Sequence, residues 1–259
     1  MGPGSRRMLR GLVPVAVLAA AWEAAPRAGL VDPAFLPPAG AVLGAWGDLA
    51  WSGELPRQVL VTARAWAQGF VLAAVLGIAG GLVMAFLPTA RAMFSLVVEL
   101  LRPMPSVAII PIAILVLGLG DAMKVAVIAY AALWPILLNS LYGVDGVERR
   151  LHDVARTFHL GRWRTAWRIL LPAASPLIAT GLRVSSGIAL ILAVTAELVA
   201  GQSGLGSFIL QAQLAIRVAE MYAGILTVAV LGFGLNLLLG AVEGRMLAWH
   251  RGATAKETA

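Results

Sequence analysis

Charge is scarce in this 259-residue chain: only 13% of its residues are Asp, Glu, Lys or Arg, against about 25% in ordinary soluble domains. Cysteine is absent, which excludes a disulfide framework, thiolate metal sites and a thiol nucleophile. No GxxxxGK[ST] run occurs, so the chain has no backbone cradle of its own for nucleotide phosphates. His152, His159 and His250 form no ligand cluster by spacing, and no nucleophile elbow accompanies any serine. Neither a metal nor a catalytic set is expected, and an enzyme reading finds no support.

What the chain has is long uncharged runs. Between Arg64 and Arg91, Lys124 and Asp145, and Glu220 and Glu243 lie 26, 20 and 22 residues without a charge. A helix needs about 20 apolar residues to cross the hydrocarbon. No segment alternates like a barrel strand, so helices are the spanning option. The runs predict an all-α, polytopic transmembrane bundle of about six spans, near 11–25, 59–86, 92–117, 122–142, 174–199 and 219–242. With both termini in the cytoplasm, 13 basic residues fall inside and 5 outside. The net charge of +7 is thereby accounted for by the positive-inside rule rather than by nucleic acid. The first span, behind Arg6 and Arg7, is read as a retained anchor, although a secretory signal has a similar layout.

Three segments stand out. Ala39–Trp51 has helical apolar spacing and two tryptophans, Trp46 and Trp51, as expected of an interfacial helix on the outer side. The third span is interrupted at Arg102-Pro103-Met104-Pro105, where proline removes amide donors. That break is either a bend beside a translocation path or a kink packed against neighbours. Residues 146–171 are the third. Val147, Leu151, Ala155 and Phe158 form one helical stripe, and Leu160, Trp163, Trp167 and Leu170 a second, with Arg164 and Arg168 opposite. A turn at Gly161 is expected to separate two short amphipathic helices, with Pro172 stopping the second. By physics alone this is either an elbow resting on anionic lipid or a docking surface.

Asp153-Val154-Ala155, His159 and Ile169-x-Leu171-Pro172 resemble the EAA loop of binding-protein-dependent ABC importer permeases, whose pattern is Glu-Ala-Ala, three residues, Gly, nine residues, Ile-x-Leu-Pro. Ala155, Ile169, Leu171 and Pro172 match; Asp153 and Val154 are conservative replacements; His159 stands where the family has glycine, leaving Gly161 to take over the turn. Leu101-Arg102-Pro103-Met104-Pro105, Gly118-Leu119-Gly120, Trp134-Pro135-Ile136-Leu137-Leu138-Asn139, Ala196-Glu197-Leu198 and Ser203-Gly204-Leu205-Gly206 look like the nitrate/sulfonate/taurine branch. The resemblance covers nearly the whole chain. It implies a type I ABC importer permease architecture in the plasma membrane, a separate ABC ATPase that binds ATP and Mg, a periplasmic or lipid-anchored substrate-binding protein, and a second permease copy. It also implies that residues 146–171 are coupling helices, with Asp153, Val154, Ala155, Arg156, Phe158, His159, Gly161, Leu171 and Pro172 meeting the ATPase. Val154, Ala155 and Phe158 are expected to face its groove.

Charged residues within spans are costly unless they face protein, water or each other. Arg102, Ser106, Arg183, Thr195 and Glu197 are the candidates for a polar path for a small anion. The competing expectation is structural pairing, Glu99 with Arg102 and Arg183 with Glu197. The rival function is a secondary transporter or channel acting without an ATPase, which predicts an inverted repeat and buried ion ligands; no convincing repeat is visible.

Overall fold

The computed structural model describes residues 3–200 and 202–246. His250, Arg251 and Lys256 lie outside them, as do the side chains of Arg149, His152, Val154, Arg156 and Arg162. Among the described residues the secondary structure is entirely helical. The helices are α1 (Pro3–Arg27), α2 (Ala39–Trp51), α3 (Glu54–Phe86), α4 (Pro88–Leu101), α5 (Ile110–Leu117), α6 (Asp121–Asp145), α7 (Arg149–Thr157), α8 (Arg162–Thr165), α9 (Leu171–Ala200), α10 (Leu205–Leu214) and α11 (Val218–Met246). A 3-10 turn, Ser106–Ile109, precedes α5, and a π turn, Ala166–Leu170, joins α8 to α9.

Among the described residues four helical stretches are long and apolar enough to cross a membrane: Glu54–Phe86, Asp121–Asp145, Trp163–Ala200 and Val218–Arg245. A fifth crossing is broken, its halves Pro88–Leu101 and Ser106–Leu117 meeting at 92°. The bend falls where the prolines predict it. Pro105 is extended and Pro103 cannot donate, so α4 ends one residue before Arg102. Helix α1 covers the expected first span but is not among the stretches that meet the length and hydropathy test.

Helices α3, α6 and α9 form the centre. Their shared core includes Trp66, Phe70, Ile128, Ile136, Ala189 and Ala193, all buried. Small residues permit the close approach that lipid-embedded helices use in place of a hydrophobic driving force. A Cβ added at Gly77 would lie 2.9 Å from Ile136 Cβ, and one at Gly181 2.8 Å from Asn139 Cβ. A Cβ at Gly187, by contrast, would meet nothing within 4 Å.

The segment predicted as two short helices departs from expectation at the end of its second helix. Pro172 does not stop the second helix: the chain runs helically from Trp163 to Ala200. The π turn explains this. The Leu171 N–H reaches back to Ala166 O, a wider loop than an α turn, which makes room for a ring that would otherwise clash with the preceding turn.

Candidate functional site

The arginine-rich end of the bundle is built on a turn. Helix α7 ends at Thr157, and the Leu160 N–H donates to Ala155 O at 2.9 Å. This six-to-one bond closes a Schellman cap whose C′ position must be left-handed. His159 occupies it, with φ +49°. The turn expected at Gly161 is therefore made by His159 itself: Gly161 has no positive φ and no close neighbour for a Cβ. The reason is register, since the C′ position lies two residues past the last helical residue wherever the helix ends.

The cap sets which side chains are presented. Phe158 is 72% exposed, whereas Ala155 is 4% exposed and points into the elbow rather than out of it. Asp153 is exposed and engaged in interactions of its own. Leu171 and Pro172 begin α9 and form the root of the elbow rather than its surface. Leu170 joins Val144, Ala174 and Ile178 in a buried cluster that anchors this root to α6. Nearby, Arg91 pairs with Asp145 at 2.8 Å, tying α4 to the end of α6.

The opposite end is held by a buried polar knot. Glu197, fully buried on α9, accepts from the Thr62 hydroxyl of α3, 3.0 and 2.9 Å from its two oxygens, and from the Gly206 N–H at 3.0 Å. The Thr62 oxygen in turn accepts the Leu205 N–H at 2.9 Å, and Gln58 accepts the Gly204 N–H at 2.8 Å. Lys124 of α6, also fully buried, donates to the Ser203 carbonyl at 3.1 Å and lies 3.8 Å from Asp121. Gly204, with φ +105°, packs directly on the Glu197 carboxyl, where no Cβ fits. Three central helices thus grip the 203–206 turn, which starts α10 and lays it across that end.

The five path candidates do not converge. Glu197 belongs to the knot. Arg183 does not pair with it, being fourteen residues earlier on the same helix; instead it donates to Asn236 at 3.2 Å and to Glu243 at 3.3 Å, tying α9 to α11. Arg102 and Ser106 flank the 92° break, Arg102 exposed, and the pairing expected between Arg102 and Glu99 is not seen among the described ion pairs. Thr195 donates to its own helix at Ile191 O, 2.7 Å. Thr62, Gln58 and Lys124 were not singled out by sequence. Lys124, a charge at the very edge of an apolar run, carried the one available signal; Thr62 carried none.

Comparison with known proteins adds three findings. Residues 70–248 match the family model described as binding-protein-dependent transport system inner membrane component. The chain is 31% identical to the putative aliphatic sulfonates transport permease protein SsuC of Bacillus subtilis over 96% of its own length and 91% of that protein's. It is 32% identical to the taurine transport system permease protein TauC of Escherichia coli, covering 96% and 92%, and 30% identical to the nitrate import permease protein NrtB of Leptolyngbya laminosa, covering 73% and 68%. Among solved structures, an inward-facing conformation of the MetNI methionine ABC transporter superposes with a TM-score of 0.63 over 71% of this chain and 92% of that one, at 14% identity. That likeness speaks for the fold.

Proposed function

Because the chain belongs to the family of binding-protein-dependent transport system inner membrane components, we propose that it lines the passage for a small anion of the sulfonate, taurine or nitrate kind and converts the motion of a separate ATPase into opening and closing of that passage. The family membership favours this over a carrier that works alone. The relatives' names point to the anion class. Two such permease chains side by side, one ATPase pair and an external binding protein complete the assembly. ATP and Mg belong to the ATPase. Both chain termini and α7 lie on the cytoplasmic side, and α2 and α10 on the outer side, in keeping with the basic-residue count.

One observation carries the mechanical reading: an exposed helix, α7, stands beyond the span ends and is capped onto a helix that runs without interruption across the bundle. Such an element transmits force where a loose loop would absorb it. Asp153 and Phe158 supply orientation and an apolar contact on its outer side, while Ala155, His159, Leu171 and Pro172 hold the shape that presents them. Val154, Arg156 and Gly161 complete the contact stretch. Charged residues there fix register more than they add affinity.

The test is reconstitution with the cognate ATPase and binding protein. Asp153→Lys is expected to leave ATP hydrolysis measurable and to reduce solute uptake at least tenfold. Wild-type uptake by that variant ends the assignment. The anion class is tested separately by competition, in which an unlabelled alkanesulfonate, taurine or nitrate displaces the transported label and an uncharged analogue of similar size does not.

A further inference from the structure

A cleft of about 600 Å³ opens beside the elbow, between the last turns of α3 and the α8–π segment. Its floor is Leu82, Val83, Phe86 and Leu87; its wall is Trp163, Ala166, Trp167 and Leu170. Among the described residues lining it, Thr165 is the one polar side chain besides the two tryptophans. The floor lies within the uncharged run that ends at Arg91, so it sits at the edge of the hydrocarbon. Trp163 and Trp167 are 79% and 63% exposed although they form its wall, and tryptophan is the residue that settles at headgroup level. Arg164 and Arg168 each follow one of these tryptophans in sequence, are both exposed, and take part in none of the described ion pairs. Each arginine is next in sequence to a lining residue, so its long side chain can reach the rim of the cleft, and two cations beside an apolar slot match a lipid with a charged head and a long tail.

We propose that this cleft is a binding site for an anionic glycerophospholipid, with one acyl chain in the slot against Phe86 and Ala166 and the phosphate met by Arg164 and Arg168. The ATPase is the rival occupant, but a water-soluble partner finds its contact on α7 and Phe158, whereas the cleft floor belongs to a membrane span. The bound lipid fixes the angle between α3 and the elbow, because it fills the cleft between them. The inference rests on the membrane setting of the bundle and not on which solute it carries.

Brominated acyl chains quench tryptophan on contact, which gives a direct readout in the assembled transporter, ATPase included, in nanodiscs. The part of the quenching due to Trp163 and Trp167 is the difference from a Trp163→Phe/Trp167→Phe variant. Brominated phosphatidylglycerol is expected to outcompete brominated phosphatidylcholine for that part by about fivefold per arginine engaged. Arg164→Gln/Arg168→Gln, both at exposed positions, should erase the headgroup preference. Ala166→Phe, which fills the slot, should lower quenching by either lipid. Equal quenching by the two lipids in the wild type overturns the proposal, and so does a preference that survives the double arginine change. Absence of any Trp163- and Trp167-dependent quenching overturns it in favour of the ATPase as the occupant.

Discussion

A histidine at φ +49° is held where L side chains crowd the backbone, at a cost of roughly 1–2 kcal/mol. His159 is exposed and makes the turn that the family pattern assigns to glycine. His159→Gly should therefore raise thermal stability by about 1 kcal/mol or slightly less, since glycine also loses more chain entropy on folding. His159→Val should lower it, because β-branching is least compatible with a left-handed backbone. Thermal unfolding of the purified chain reads both. Ile216 presents the same problem at the end of α10, with φ +58° and the Arg217 N–H bonded to Ala212 O at 2.9 Å. It is 82% exposed, so packing does not compensate, and Ile216→Gly should stabilise more than the histidine change. Glu197 runs the other way. Glu197→Ala strands the Gly206 N–H and the Thr62 hydroxyl, two buried donors at about 1–3 kcal/mol each. The expected outcome is protein that is cleaved rapidly near residues 202–206 under limited proteolysis, while wild type resists.

At the scale of elements, α2 coincides with the sequence expectation at both ends, because proline before it and glycine after it punctuate the chain. The broken span was equally legible: three prolines in nine residues leave few ways to continue a helix. The elbow was legible as two amphipathic stripes but not as a cap and a π turn. Apolar spacing reports which face is buried, and it is silent on how a helix end satisfies its last carbonyls. Pro172 was misjudged as a stop because its usual clash disappears when the preceding turn widens. The knot was out of reach for a similar reason. Thr62 and Glu197 are separated by 135 residues, and nothing local to either announces the other. Among the central helices, Gly81→Val is expected to force α3 and α6 apart, since a Cβ at Gly81 would already stand 2.7 Å from Ser140 Cβ. Overpacking of that kind costs about 1–3 kcal/mol, visible as a lowered unfolding temperature in detergent.

For the whole molecule, the absence of cysteine makes topology unusually simple to measure. Ser52→Cys, exposed after α2, should react with a membrane-impermeant maleimide in intact cells. Thr157→Cys, exposed at the end of α7, should react only after permeabilisation. The reverse pattern would invert the proposed orientation. The continuous helix from Trp163 to Ala200 has 38 residues and so measures about 57 Å, nearly twice the hydrocarbon thickness. One end is the elbow and the other carries Glu197. In engineering language it is a lever whose two loads, in the proposed orientation, lie on opposite sides of the membrane, and a tilt of about 5° at the elbow would displace the far tip by roughly 5 Å over that length. Because Glu197 clasps the 203–206 turn, such a displacement would pass to α10 directly, and under the proposed function a signal made where ATP is split would arrive at the far surface as a shift of one small helix.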